Sequence, residues 1–270
     1  MPTSLLFPAA CRAALLAGLF AFTASAAELV FPIAADAFMD SRPANAAFNY
    51  GAATTLKTLV NSSDGTVCRG LFQLPPELAL FDPADIVSAN VQLYVWQDNT
   101  GERNITLYPL TRPFSEGSKN GSGIADGATW NTFDGTNAWN TAGGDFDTNF
   151  PVVGVKEEIL NPDMHDRFFS WNLTPLLADP AARSNLLAHG ALIQIDELPV
   201  PSSGTPRAPF TSSDDLNYTA AYRPHLDLDV VLRTPELPQI SIADGTLNLD
   251  LANLTPFVTH RIEYTQNLHP

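Results

Sequence analysis

Strict alternation of apolar and polar positions is clearest where Ala89, Val91, Leu93 and Val95 interleave with Asn90, Gln92, Tyr94 and Trp96. A period of two sends successive side chains to opposite faces, so the pattern predicts a strand with a core face and an outer face carrying Tyr94 and Trp96. Asn104 to Leu110 alternates again, with Ile105 and Leu107 inward. Between the two runs, Asp98-Asn99-Thr100-Gly101 has the composition of a hairpin turn and predicts adjacent antiparallel strands. Glu28 to Ala35, Thr54 to Val60, Val67 to Leu74, Ser170 to Leu177 and Gly190 to Asp196 read as further strands from their β-branched and apolar content. The last is nearly continuous in apolar residues, as a central strand would be. Leu226, Leu228, Val230 and Leu232 alternate with Asp227, Asp229 and Val231, which predicts a strand with one solvated face. Asp179 followed by Pro180 has the form of an N-cap and first helical position, predicting a short helix to about Ala188.

Arg112 to Pro151 shows no alternation, and a stretch this long inside a compact domain is usually functional or disordered. Its Trp130, Phe133, Trp139 and Phe146 argue against disorder. After Arg233 the run Thr234 to Pro238 is linker-like. Ile240, Ile242, Leu247, Leu249 and Leu251 around Asp244-Gly245 then predict a separate hairpin in a tail, 234–270, too small to bury a core alone. At the other end, Arg12 precedes the apolar run Ala13 to Phe22, and Ala24-Ser25-Ala26 supplies the small residues of a cleavage site. These are the features of a signal peptide over 1–26, cleaved after Ala26 or Ala27. The run is shorter than the roughly 20 apolar residues a bilayer needs. The expectation is a main domain over 27–233 with no membrane span, secreted to the extracellular space or held at the bacterial cell surface.

Composition narrows the class. Hydrophobic residues make up 45% and charged residues 16% of the 270, enough to build a core. A net charge of −15 opposes phosphate backbones, so no nucleic acid is expected as a partner. The 22 Pro and 16 Gly, with no sustained helical period, predict an all-β fold of two stacked antiparallel sheets. Its inner residues should include Val91, Leu93, Val95, Ile105, Leu107, Leu192, Ile193, Leu226, Leu228 and Val230. Past the signal segment Cys68 is the only cysteine, which rules out an internal disulfide and reads as a buried small hydrophobe.

Several short segments, taken in order, resemble the DNRLRE domain, carbohydrate-binding module family 96. They are Ala35-Asp36-Ala37-Phe38-Met39-Asp40 with Asn49-Tyr50-Gly51, Arg69-Gly70-Leu71-Phe72, and Ser88-Ala89-Asn90-Val91-Gln92-Leu93-Tyr94. The series continues through Thr111-Arg112-Pro113-Phe114-Ser115-Glu116-Gly117, Asp126-Gly127-Ala128-Thr129-Trp130-Asn131, and Trp139 with Gly143-Gly144-Asp145-Phe146. Phe210 with Ser212-Ser213, and Arg223-Pro224-His225-Leu226, complete it, so the resemblance covers residues 35 to about 232. The hexapeptide that names the family does not occur. What the resemblance implies is an exported jelly-roll β-sandwich, with alginate among the ligands of the family.

The chemistry-bearing residues point to binding. Glu116, Asp126 and Asp145 offer carboxylates, but no spacing singles out the pair a glycosidase needs; there is no Gly-x-Ser-x-Gly or His-Glu-x-x-His, and the histidines are scattered. No enzyme is expected. Sugar C–H faces pack on aromatic rings, which makes Tyr94 and Trp96 a candidate platform and Trp130 and Trp139 either loop anchors or a second candidate. An anionic polymer needs cations, and Lys57, Arg69, Arg103 and Arg112 are the candidates, with Arg103 placed by the turn beside Trp96. A structural calcium ion could use Asp134, Asn137, Asp145 and Asp147, or Asp36 and Asp40, although neither set has EF-hand spacing. The leading expectation is a non-catalytic polysaccharide-binding module for an alginate-like polymer. The competing one is a structural or adhesive display domain with cell-surface partners and no sugar ligand.

Overall fold

In the computed structural model, residues 26–122, 125–232, 239–243, 246–250 and 256 are described. Twelve strands and two short helices make up the main body. In chain order these are β1 (Ala26–Pro32), β2 (Ala35–Asp40), β3 (Thr55–Val60), β4 (Val67–Gln73), β5 (Ile86–Val95), β6 (Ile105–Pro109), β7 (Val152–Val153), β8 (Val155–Lys156) and β9 (Arg167–Asn172). There follow α1 (Thr174–Ala178), α2 (Pro180–His189), β10 (Ala191–Ile195), β11 (Arg207–Thr211) and β12 (His225–Val231). Every pairing is antiparallel.

One layer runs β1-β12-β5-β9 and continues to β8; the other runs β4-β10-β6-β7, with β2 on the free side of β4. Each layer thus interleaves early and late strands, the arrangement of a jelly roll. The expected separate sheets are in fact one hydrogen-bonded network. β3 pairs with both β4 and β11, and β11 meets β5 at Phe210 opposite Val95. The ten inner residues named from the sequence are all buried, each with a relative exposure of 0%. Nine of them fill the space between the layers together with Phe169, Trp171 and Phe210. Leu192 faces the opposite way, into a second apolar cluster with Ala37, Met39, Leu71, Leu110, Phe114, Ala128 and Trp139. A continuous apolar strand carries no period to say which side is which, and β10 is buried on both.

The roof of that second cluster is the long segment after Arg112, laid over the outer face of β2, β4 and β10. Asn49 ties it down: its Nδ2 donates to the carbonyls of Glu116 (2.6 Å) and Ala128 (3.0 Å), and its Oδ1 accepts from the N–H of Gly51 (3.2 Å) and Lys119 (3.1 Å). At Gly51 a Cβ would stand 2.1 Å from the Glu116 carbonyl oxygen, so only glycine allows the approach.

Three further expectations change. β5 and β6 are not hairpin partners; β5 pairs with β9, β11 and β12, while β6 pairs with β7 and β10 in the opposite layer. The Asp98-to-Gly101 turn instead carries the chain between layers, held by Asp98 ion pairs to Lys156 (3.5 Å) and Arg167 (3.4 Å). Ser170 to Leu177 is a strand only to Asn172; the Asn172 Oδ1 accepts from Thr174 N at 2.9 Å, and α1 starts at Thr174 with Pro175 in its first turn. The opening strand divides in two, because β2 leaves β1 to pair with β4. The helix expected after Asp179 is present, with its carboxylate capping Ala181 and Ala182 at 2.9 and 3.0 Å. Ala26 and Ala27 pair with Val231 and Val230, while the rest of the expected signal segment lies outside the described residues. The predicted tail hairpin forms from β13 (Gln239–Ala243) and β14 (Thr246–Asp250), a two-stranded sheet of its own. No helix among the described residues is long and apolar enough to cross a membrane.

Candidate functional site

A groove of about 350 Å³ opens where β3 and β11 pass the end of β5. Its floor follows from strand parity. Leu56 and Val60 turn into the core, so Thr55 and Lys57 face out, and Lys57 lies opposite Pro209. Trp96 and Arg207 line it with them, and Phe38, Tyr50 and Asn120 complete it from the β2 side. The Phe38 and Tyr50 rings stack with centroids 4.1 Å apart and planes at 21°. Trp96 and Lys57 are half-buried and Arg207 is exposed, its Nη2 donating to Gln97 Oε1 at 3.2 Å. Lys57 has no ion-pair partner among the described residues.

Trp96 and Lys57 are therefore brought together, and the other expected platform and cation residues are not. Tyr94 faces away from the core as its parity requires, yet it is 94% covered rather than presented to a ligand, having a relative exposure of 6%. Phe168, Tyr218 and Tyr222 pack around it with centroids 5.4, 5.6 and 4.7 Å away, and its hydroxyl donates to Asp166 Oδ2 at 3.0 Å. Burial, then the Asp166 bond, raises its pKa well above the usual phenol value. Arg103 donates to the carbonyls of Asp196 and Pro199 and holds that loop, because β6 runs in the other layer from Trp96. Arg69 pairs with Glu197 at 2.7 Å, donates to the Gly143 carbonyl at 2.8 Å and lies over Trp130, 5.0 Å from the ring centroid. Arg112 pairs with Asp145 at 3.2 Å and lies 4.9 Å over Phe133. Trp139 is buried with Nε1 donating to the Thr129 carbonyl at 2.9 Å, and Trp130 is half-buried under Arg69. Both hold the long segment in place.

The oxygens expected to hold calcium serve local backbone instead. Asp134 accepts from Thr136 N and from both nitrogens of Asn137, while Asp147 accepts from Asn149. Asp145 accepts from the N–H groups of Asn140 and Thr141, besides pairing with Arg112. Asp36 accepts from Ser213 N, and Asp40 from Arg42 and Asn45. No group of three or more His, Cys, Asp or Glu among the described residues is placed to hold a metal ion, so these residues do not fit the calcium expected of them. Cys68 is buried in the core, and burial pushes its thiol up to about 12, which suppresses the thiolate.

The sequence reading missed Arg207 and Asn120 altogether. Arg207 stands between Pro206 and Pro209, and proline within a run argues against a strand, so β11 carried no period to place it. Tyr50 and Phe38 were within reach, since both belong to the segments that carry the family resemblance. No family model matches the chain, and no curated protein matches it.

Proposed function

We propose that the chain is an exported, non-catalytic polysaccharide-binding module, akin to the DNRLRE domain it resembles, and that it takes an anionic, alginate-like polymer along the Trp96 groove. The observation that carries this reading is the unpaired ammonium of Lys57 lining the same groove as the Trp96 indole, in a chain of net charge −15. A pyranose ring packs its C–H face on an indole, which desolvates a large area at small entropic cost. Its carboxylate then needs a cation, and Lys57 is a cation in the groove with no ion-pair partner among the described residues. Lys57 supplies an ammonium at the floor and Arg207 adds a guanidinium at the rim, suited to bidentate pairing.

Affinity electrophoresis of the full mature chain in gels containing alginate, pectin or a neutral glucan tests it. Retention should be strongest in alginate, fall with added salt as exposed charges are screened, and drop in Trp96→Ala and in Lys57→Ala with melting temperature unchanged. Alginate retention equal to wild type in both variants, or none in wild type, would overturn the reading.

A further inference from the structure

A second groove, of about 420 Å³, lies on the outward face of the β9-β5-β12 sheet. Its floor is a cross-strand row in which His225 lies opposite Gln92 and Gln92 opposite Ser170. Phe168 and Tyr222 form an aromatic wall, their rings nearly parallel at 11° with centroids 6.0 Å apart. Tyr222 is 37% exposed. Glu157 and Asp227 bring carboxylates, and no Lys or Arg among the described residues lines the groove.

Two details of the floor point to a ligand. The Oε1 of Gln92 is buried with no hydrogen-bond partner, and a buried amide oxygen left unsatisfied costs about 1–3 kcal/mol. A group in the groove that reached the Gln92 amide would relieve that cost. His225 Nδ1 lies 2.7 Å from the Arg223 carbonyl, which only accepts, so Nδ1 carries a proton; Nε2 then faces Asp227 Oδ1 at 3.7 Å. Two carboxylates and an unsatisfied amide thus stand beside a ring face at the wall.

We infer that this groove binds a neutral glycosyl unit. Hydroxyls can donate to the two carboxylates and both donate to and accept from the Gln92 amide, and the sugar's C–H face matches the Tyr222 ring. A uronate is disfavoured, because its carboxylate would meet Glu157 and Asp227 with no Lys or Arg in the lining to offset them. The site is independent of the Trp96 groove and differs from it in the sign of its charge, so one module would hold two kinds of sugar.

The test uses the full mature chain in affinity gels containing β-1,4-glucan, β-1,3-glucan, mannan, xylan, galactan, chitosan or alginate. At least one neutral glycan should retain the wild-type chain. Tyr222→Ala and Gln92→Met should each weaken that retention about three- to tenfold and leave alginate retention unchanged, both read at temperatures where the variant is folded. Trp96→Ala should leave neutral-glycan retention intact, so failure at either groove is told apart from failure at the other. Retention by chitosan in place of the neutral glycans, by none of them, or by a neutral glycan equally in wild type and both groove variants would overturn the assignment.

Discussion

The carboxylate of Asp36 accepts the backbone N–H of Ser213 at 2.6 Å, across 177 residues of chain. The N–H of Asp36 donates in turn to Glu116 Oε1 at 2.7 Å. Three segments that carry the family resemblance thus meet at one buried point, and they do so to fix the backbone.

Burial raises the Asp36 pKa above the ordinary 3.8 in spite of the Ser213 and Ser212 bonds, and the charge on Asp214 adds to the rise. Glu116 is raised for the same first reason. The folded state therefore binds protons more tightly than the unfolded chain, and stability falls as pH rises from the ordinary carboxylate value through the raised one. Asp36→Asn should melt higher than wild type at about pH 7 and lose that advantage near the ordinary carboxylate pKa of about 4. Asp36→Ala should melt lower at both, because the Ser213 N–H loses its acceptor at a cost of about 1–3 kcal/mol. Thermal melts of both variants at the two pH values check the sign.

Asp40 works the other way. Burial pushes against ionisation, but hydrogen bonds from Arg42 and Asn45 outweigh it and lower the pKa below 3.8. Its contribution is present above the ordinary value and is lost as pH falls through the lowered one. Asn45→Ala should narrow the acid stability range, read as a higher midpoint pH in an acid unfolding titration.

Gly51→Ala should be among the most damaging single changes, since the new Cβ would overlap the Glu116 carbonyl. Loss of the long segment's near-ultraviolet circular dichroism, with the strand signal in the far ultraviolet retained, is the expected signature. A variant that melts like wild type would show that the segment can shift at little cost.

Trp139→Ala removes a buried ring and a hydrogen bond to Thr129, and should cost about 3–5 kcal/mol in a denaturant melt. Trp130→Ala, at a half-buried position, should cost less. Neither should alter alginate retention at temperatures where the variant is folded.

Ending the chain after Arg233 should leave the main body's melting transition in place, because β13 and β14 pair with each other and with none of the twelve strands. A broadened or lost transition would show that the tail completes the fold.

Legibility in the sequence followed periodicity. β5 and β12 alternate, and their inner residues could be placed one by one. β10 has no period, so its burial could be read but its two-sidedness could not. Of the groove, Trp96 and Lys57 could be found from ring chemistry and charge, while Arg207 sits on a strand that prolines conceal. Tyr94 shows the other limit: strand parity fixed its direction, but the segment through Tyr218 and Tyr222 that covers it comes from far along the chain. Arg69, Arg103 and Arg112 lie away from the groove for a related reason, since acidic side chains and carbonyls elsewhere in the fold hold them.

Among the described residues β1 has one partner, the last strand of the main body: it lies at the sheet margin against β12, with Ala27 opposite Val230. β12 is also what joins β1 to β5, so this layer cannot close until nearly the whole domain has been made. Contacts so distant in sequence form slowly. During synthesis, β1 therefore has no strand to pair with until β12 has been made, and the layer is locked from its two ends in sequence at once.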